Sequence, residues 1–161
     1  SADLTVPAYI PEGYVPAAEQ RMDLYRRIAA LRTPADEADL MDELLDRYGD
    51  VPKPVTALLN VAMLRAAAME TGITDITQKG RQLIFSFDMR IEPAALLAVC
   101  GMAGYRDRLQ LAAGASPKLT LFLQPREDAL DAAGGLVEQL RLQQNELQLQ
   151  GQQPQEGGNE P

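Results

Sequence analysis

The sequence contains no histidine and no tryptophan, and its single cysteine is Cys100. Histidine is the commonest general base and metal ligand, so its absence excludes Ser-His-Asp, Cys-His and zinc sites built from this chain alone. One cysteine can form no disulfide within the chain. Cys100 ends an apolar run that begins at Leu96, and we expect it to be a small buried hydrophobic residue.

Loops that bind phosphate are also missing. Neither the G-x-x-x-x-G-K-[ST] motif nor the G-x-G-x-x-G motif occurs, and Gly101 and Gly104 form only a G-x-x-G that is typical of turns and helix ends. The 23 acidic residues leave one enzyme hypothesis open, a pair of carboxylates buried together, although no pattern marks such a pair. The sequence therefore predicts no catalysis, no cofactor and no metal within this chain.

Basic residues are few, with 15 Lys and Arg against 23 Asp and Glu and a net charge of −8. A phosphate backbone attracts Lys and Arg, so this balance predicts no direct binding of nucleic acid and suits a basic protein partner. No run approaches the ~18 apolar residues of a membrane span, and no signal peptide opens the chain. We therefore expect a cytoplasmic location and no contact with a membrane.

Hydrophobic residues make up 46% of the chain but aromatic residues only 5%, so Leu and Ala fill most of the core and favour helices. Periodicity, caps and turns predict three helices, a hairpin, a helix, a second hairpin and a last helix. The fold class is therefore α+β, with a helical amino-terminal half followed by a small antiparallel sheet of two hairpins with packed helices. We expect a single domain over residues 1–150 and a disordered tail over 151–161, which has only Gly, Gln, Pro, Glu and Asn.

The element boundaries follow from local signals. Residues 4–11 alternate apolar residues with prolines, which predicts an edge strand or an extended arm. A first helix is expected over about 17–31, a second from the cap Thr33 to Gly49, and an apolar, central third over about 55–71. On the first helix, Met22, Tyr25, Ile28 and Ala29 fall on one face and are expected to point into the core. The last helix is expected over about 127–150, with a glutamine-rich end that could project from the body.

The second helix carries the informative polar feature. Asp39, Glu43 and Asp46 share one face, Asp42 lies beside them, and the opposing core side is expected to be Leu40, Met41, Leu44, Leu45 and Tyr48. Such carboxylates are either a solvated surface or a docking stripe for arginines of another protein, since a rigid helix presents them well to guanidinium groups. Arg47 could belong to the same contact or pair with Glu43.

Several motifs resemble one known family. The run from Ala8 to Val15, Ala-Tyr-Ile-Pro-Glu-Gly-Tyr-Val, is similar to the opening signature of the carboxy-terminal domain of bacterial transcription-repair coupling factors. Arg21 with residues 24–29, residues 43–49 with Pro52 and Pro54, Leu64-Arg65 and Gly72-Ile73 also fit the family pattern. The resemblance covers about residues 4–147, and the first 75 residues carry most of its specificity.

The resemblance implies a parent protein that is an ATP-driven DNA translocase, with ATP and Mg²⁺ bound in its motor outside this chain. Such a parent removes stalled RNA polymerase and recruits the excision-repair protein UvrA. It also implies that this domain packs on the amino-terminal UvrA-binding module of the same protein and masks it until the motor engages. Under this hypothesis Glu43 and Asp46 contact basic residues of the module, with Asp39, Asp42 and Arg47 as further candidates. The alternative is a free-standing acidic adaptor that binds an unrelated basic protein.

Overall fold

A computed structural model describes residues 1–152 and has an α+β architecture. In chain order its elements are β1 (Ala2–Asp3), α1 (Ala18–Ala29), α2 (Pro34–Tyr48), α3 (Lys53–Glu70), β2 (Ile73–Lys79), β3 (Gln82–Phe87), α4 (Pro93–Cys100), β4 (Leu109–Ala112), β5 (Lys118–Phe122) and α5 (Ala129–Gln152). The predicted order of three helices, hairpin, helix, hairpin and helix is confirmed.

Helix α3 is central, as its apolar sequence predicted. Val55, Leu59 and Ala62 join a first buried cluster with α1, α2 and the amino-terminal arm. Val61 and Leu64, on another side of the same helix, join a second cluster with the sheet, α4 and α5. A helix that is buried on two sides in this way holds the helical half and the sheet half together.

The sheet joins the two predicted hairpins into one layer with the strand order β1-β2-β3-β5-β4. The hairpins meet where β3 pairs antiparallel with β5, with Phe85 opposite Leu119. The prediction of a purely antiparallel sheet is wrong at one edge, because β1 pairs parallel with β2. Only two residues form β1, and the proline-containing segment after it is an extended arm, since proline cannot continue a ladder of hydrogen bonds.

The predicted core face of α1 is wrong for three of its four residues. Met22 and Tyr25 are 55% and 36% exposed, and Ala29 is also exposed. The buried side chains are Leu24 and Ile28, which are four positions apart and face α3. Apolar residues occur on two faces of this helix, so periodicity alone did not identify the face that packs.

Helix α5 continues without a break through Gly134 and Gly135 as far as Gln152, the last residue that the structure describes. The first two residues of the segment predicted as a disordered tail are therefore helical, and residues 153–161 lie outside the described residues. The glutamine-rich end does not simply project, because Gln144 is buried. Cys100 is half-buried against the sheet core rather than fully enclosed, and burial raises the pKa of its thiol.

Candidate docking surface on the second helix

Residues at the two ends of α2 fix where this helix begins and ends. Thr33 accepts a hydrogen bond from the backbone N–H of Asp36, and the Asp36 carboxylate accepts one from the backbone N–H of Thr33, which together form a capping box. Gly49 ends the helix at a φ of +85°, which favours glycine. Leu40 and Leu44 are buried against the helical core, so the opposite side of α2 faces outward.

Four residues form what we call the outer face of α2: Asp39, Asp42, Leu45 and Asp46. All four are exposed, and none of the three carboxylates takes part in an ion pair within residues 1–152. Leu45 is 46% exposed although the sequence placed it on the core side. The outer face therefore presents free carboxylates on a rigid backbone around one apolar side chain.

Glu43 has a different environment from these carboxylates. It is half-buried and accepts hydrogen bonds from Arg27 of α1 and, at 3.3 Å, from Arg47 one turn along α2. The hydrogen bond from Arg27 lowers the pKa of the Glu43 carboxyl, with a further contribution from Arg47. Glu43 therefore already has two cationic partners within the domain.

Arg47 belongs to this internal cluster. Its guanidinium carbon lies 5.5 Å from the centroid of the Tyr48 ring, and Tyr48 packs against Tyr14 with ring centroids 5.7 Å apart. The Tyr14 hydroxyl in turn donates to the Gly49 carbonyl at 2.9 Å. Arg47 therefore pairs with Glu43 within the domain, as one of its two alternatives predicted.

The five residues predicted to bind a partner therefore fall into two groups. Asp39, Asp42 and Asp46 are available to an external cation, whereas Glu43 and Arg47 are engaged with each other. Sequence reasoning missed Leu45, because its neighbour Leu44 is buried and a run of two leucines gives no sign of which one faces out. The sequence contained one usable signal, since Leu45 lies three positions after Asp42 and residues three apart are neighbours on a helix surface.

Few polar side chains are buried among the described residues. The fully buried polar side chains of residues 1–152 are Thr71 and Gln144, and neither is a carboxylate. The same residues contain no group of three or more Cys, Asp and Glu side chains close enough to hold a metal ion. No helix among them is both long and apolar enough to cross a bilayer. The buried carboxylate pair that the enzyme hypothesis requires is thus not found in residues 1–152.

Comparison with known families identifies the fold's relatives. The family model described as the TRCF domain matches residues 4–95, which include the whole of α1, α2 and α3. The chain belongs to the TRCF domain family. The match confirms the resemblance drawn from the opening motifs and from the segment that ends α2.

Curated relatives of this TRCF domain are named transcription-repair-coupling factors. The protein of Mycobacterium bovis is 43% identical over 75 residues, which are 47% of this chain and 6% of that protein. The Escherichia coli protein is 31% identical over 99 residues, covering 60% of this chain and 9% of that protein. The protein of Bacillus subtilis is 36% identical over 76 residues. The chain thus spans less than a tenth of the length of these relatives.

A solved structure matches the whole fold. The crystal structure of the C-terminal domain of a transcription-repair coupling factor superposes with a TM-score of 0.75. The match covers 91% of this chain and 94% of that one, with 20% sequence identity. The TRCF domain fold therefore extends beyond the sequence match into β4, β5 and α5.

Proposed function

We propose that this TRCF domain is a non-catalytic regulatory module of a transcription-repair coupling factor. In this proposal it covers the amino-terminal UvrA-binding module of the same protein until the motor engages stalled RNA polymerase. The curated relatives are transcription-repair-coupling factors that extend far beyond the matched segment. ATP, Mg²⁺, DNA and RNA polymerase are assigned to those other parts, and the location is assigned to the cytoplasm.

The outer face of α2 is the observation that carries this proposal. Asp39, Asp42 and Asp46 are exposed and form no ion pair within residues 1–152, so each can accept a guanidinium group without first losing an internal partner. Leu45 lies among them and can enter a shallow apolar pocket of the partner. The complementary surface is one that surrounds an apolar pocket with arginines.

The strength of such a contact suits a mask that must be removed. An exposed ion pair contributes roughly 0–1 kcal/mol, so three of them and one leucine form a weak contact between separate molecules. Within one polypeptide the effective concentration of the two partners is on the order of millimolar, which is enough to keep a weak contact closed. A contact of this kind opens when the motor domains move apart.

Isothermal calorimetry between this chain and the isolated UvrA-binding module tests the proposal. The informative variant is Asp42→Lys with Asp46→Lys, because neither carboxylate supports the fold. Reversal of Glu43 is less informative, since it also breaks the ion pairs with Arg27 and Arg47. Glu146→Lys makes a control for charge reversal as such, because it reverses one exposed carboxylate on α5, half the charge change of the double variant.

The proposal predicts that the double reversal weakens binding at least tenfold, and that Leu45→Ser weakens it while Glu146→Lys does not. Equal affinity of all variants would place the docking surface elsewhere on the domain. If no binding is measurable between separate molecules, the same variants are compared in the full-length protein. The alternative of an acidic adaptor is supported by a different result. In that case the UvrA-binding module does not bind the outer face, either as a separate molecule or in the full-length protein, and an unrelated basic protein does.

A further inference from the structure

Helices α3, α4 and α5 pack on one face of the sheet. The strand residues that share a buried cluster with them are Leu83, Phe85, Leu119 and Leu121. Because side chains alternate along a strand, Ile84 and Phe122 lie on the opposite face. Ile84 is half-buried, Phe122 is exposed, and both lie outside the two buried clusters of residues 1–152. The sheet therefore presents its second face to the surroundings.

Strand register places one row of side chains across this second face. Lys79 of β2 pairs with Gln82 of β3, and Gln82 pairs with Phe122 of β5. The backbone N–H of Phe122 donates to the Arg108 carbonyl at 2.9 Å, which continues the row to the start of β4. Ile84 lies two residues along β3 from Gln82, so it is a diagonal neighbour of Phe122 at about 7–8 Å. We call Lys79, Gln82, Ile84, Arg108 and Phe122 the open-face patch.

The segments that meet at the open-face patch are basic, unlike the rest of the chain. Residues 79–82, 106–108 and 122–128 contain five Lys and Arg against three Asp and Glu, whereas the whole chain has 15 against 23. Lys79 and Arg126 are exposed and take part in no ion pair within residues 1–152. This part of the surface is therefore complementary to an acidic partner.

Hydrogen bonds fix the loop that holds Arg126 beside the patch. Arg81 donates to the carbonyl oxygens of Gln124 and Glu127, and Arg108 pairs with the Glu127 carboxylate. Arg126 adopts a φ of +66°, which is uncommon for a residue with a side chain. Such a conformation persists only where surrounding contacts hold it, and such positions cluster at functional sites. The backbone of Arg126 is thus positioned before any partner binds.

We propose that the open-face patch binds an acidic protein segment in which a large apolar side chain lies between carboxylates. The apolar side chain contacts Phe122 and Ile84, and the carboxylates pair with Lys79 and Arg126. A phosphate backbone carries a charge on every nucleotide and is repelled by a chain of net charge −8, whereas a protein segment can limit its carboxylates to those that the patch neutralises. This surface is independent of the outer face of α2, which belongs to the helical half of the fold.

Fluorescence anisotropy of a labelled peptide measures this binding. The probe is fluorescein-labelled Glu-Ser-Glu-Ser-Phe-Ser-Glu-Ser-Glu, titrated with the chain up to about 1 mM. Lys79→Glu and Phe122→Ser should each weaken binding by about fivefold or more. The matched controls are Lys53→Glu, at an exposed lysine of α3, and Met22→Ser, at a methionine that is 55% exposed on α1. Circular dichroism of each variant establishes that it is folded.

The same peptide with glutamine in place of glutamate should also bind about fivefold more weakly or worse, since its carboxylates are gone. The absence of saturable binding by the acidic peptide over this range overturns the proposal. Equal weakening by Lys53→Glu and Lys79→Glu also overturns it, because binding then follows net charge rather than the patch.

A labelled single-stranded oligothymidylate of about twelve nucleotides tests the other class of acidic partner. It should bind more weakly than the peptide. An oligonucleotide that binds more tightly than the peptide, and whose binding Lys79→Glu removes, would assign the open-face patch to nucleic acid and contradict the proposal.

Discussion

Arg27 on α1 donates a hydrogen bond from its guanidinium group to the Glu43 carboxylate on α2, and the Tyr48 hydroxyl of α2 donates a second one to Gln20 of α1 at 3.2 Å. Glu43, which the sequence ranked with Asp46 as a first candidate for docking, is paired within the domain, while Asp42 and Asp46 form no ion pair within residues 1–152.

Replacing Glu43 with the neutral residue glutamine is expected to lower the stability of the domain by an amount that depends on pH. Because the pKa of Glu43 is lowered from its ordinary value of 4.5, its contribution is present above pH 4.5 and is lost as the pH falls through the lower folded-state pKa. Glu43→Gln should therefore cost roughly 0–1 kcal/mol at neutral pH and progressively less as the pH falls below 4.5. Urea unfolding of both proteins across this range measures the difference.

Asp39→Asn is the control for this experiment, because Asp39 is exposed and has no ion pair within residues 1–152. Its effect on unfolding should be close to zero at every pH. A Glu43→Gln difference that is equally large on both sides of pH 4.5 would mean that packing, rather than the ionised pair, accounts for it.

A buried glutamine connects the last helix to the start of α4. Gln144 accepts a hydrogen bond from the Glu92 backbone N–H at 3.0 Å and donates one to the Arg90 carbonyl at 2.6 Å. Gln144→Leu leaves both backbone groups without this partner and should lower the free energy of unfolding by about 1–3 kcal/mol. Chemical denaturation measures this, with Gln148→Leu at an exposed position as the control. If the two variants are equally stable, water satisfies the Glu92 N–H and the Arg90 carbonyl in place of the Gln144 side chain.

Gly134 lies in the interior of α5, and a Cβ atom built on it meets nothing within 4 Å. Glycine in a helix interior is less favourable than alanine by about 1 kcal/mol, so Gly134→Ala should stabilise the domain by about that amount. Thermal unfolding measures the shift. A variant that is no more stable than the original would mean that the added methyl group is not accommodated in the groove between α3 and α5 where Gly134 lies.

Position 72 requires glycine for two reasons, which are its backbone conformation and the lack of room for a side chain. Its φ is +83°, and a Cβ atom there would lie 3.1 Å from the backbone nitrogen of Ile91. Gly72→Ala should therefore destabilise the domain by more than about 1 kcal/mol. Gly80→Ala is the informative comparison, because Gly80 also has a positive φ of +57° but has open space around it. If the two substitutions cost the same, the close approach of Ile91 has no effect.

Much of the fold follows from signals that are local in the sequence. The Thr33 cap, the Gly49 stop and the Gly80 turn each act over three or four residues, so the order of elements was predictable. The packed face of α1 was not, because Met22 and Tyr25 also have large, mainly apolar side chains, like the buried Leu24 and Ile28. Which face packs depends on α3, which lies more than twenty residues further along the chain.

The candidate docking surface was also predictable only in part. The spacing of Asp39, Asp42 and Asp46 identified a face of α2, since helical geometry is regular. The pairing of Glu43 depends on how close α1 comes to α2, and the exposure of Leu45 depends on where the helical core ends. Both depend on tertiary packing, and within α2 only the spacing of Leu45 from Asp42 gives any sign of them.

The most direct test of the account is UvrA binding by the full-length protein. If the outer face of α2 masks the UvrA-binding module, Asp42→Lys with Asp46→Lys should raise the affinity for UvrA in the absence of RNA polymerase, and Glu146→Lys should leave it unchanged. Surface plasmon resonance with immobilised UvrA gives both values. An affinity that the double reversal does not change, in a protein whose stability is also unchanged, would contradict the account.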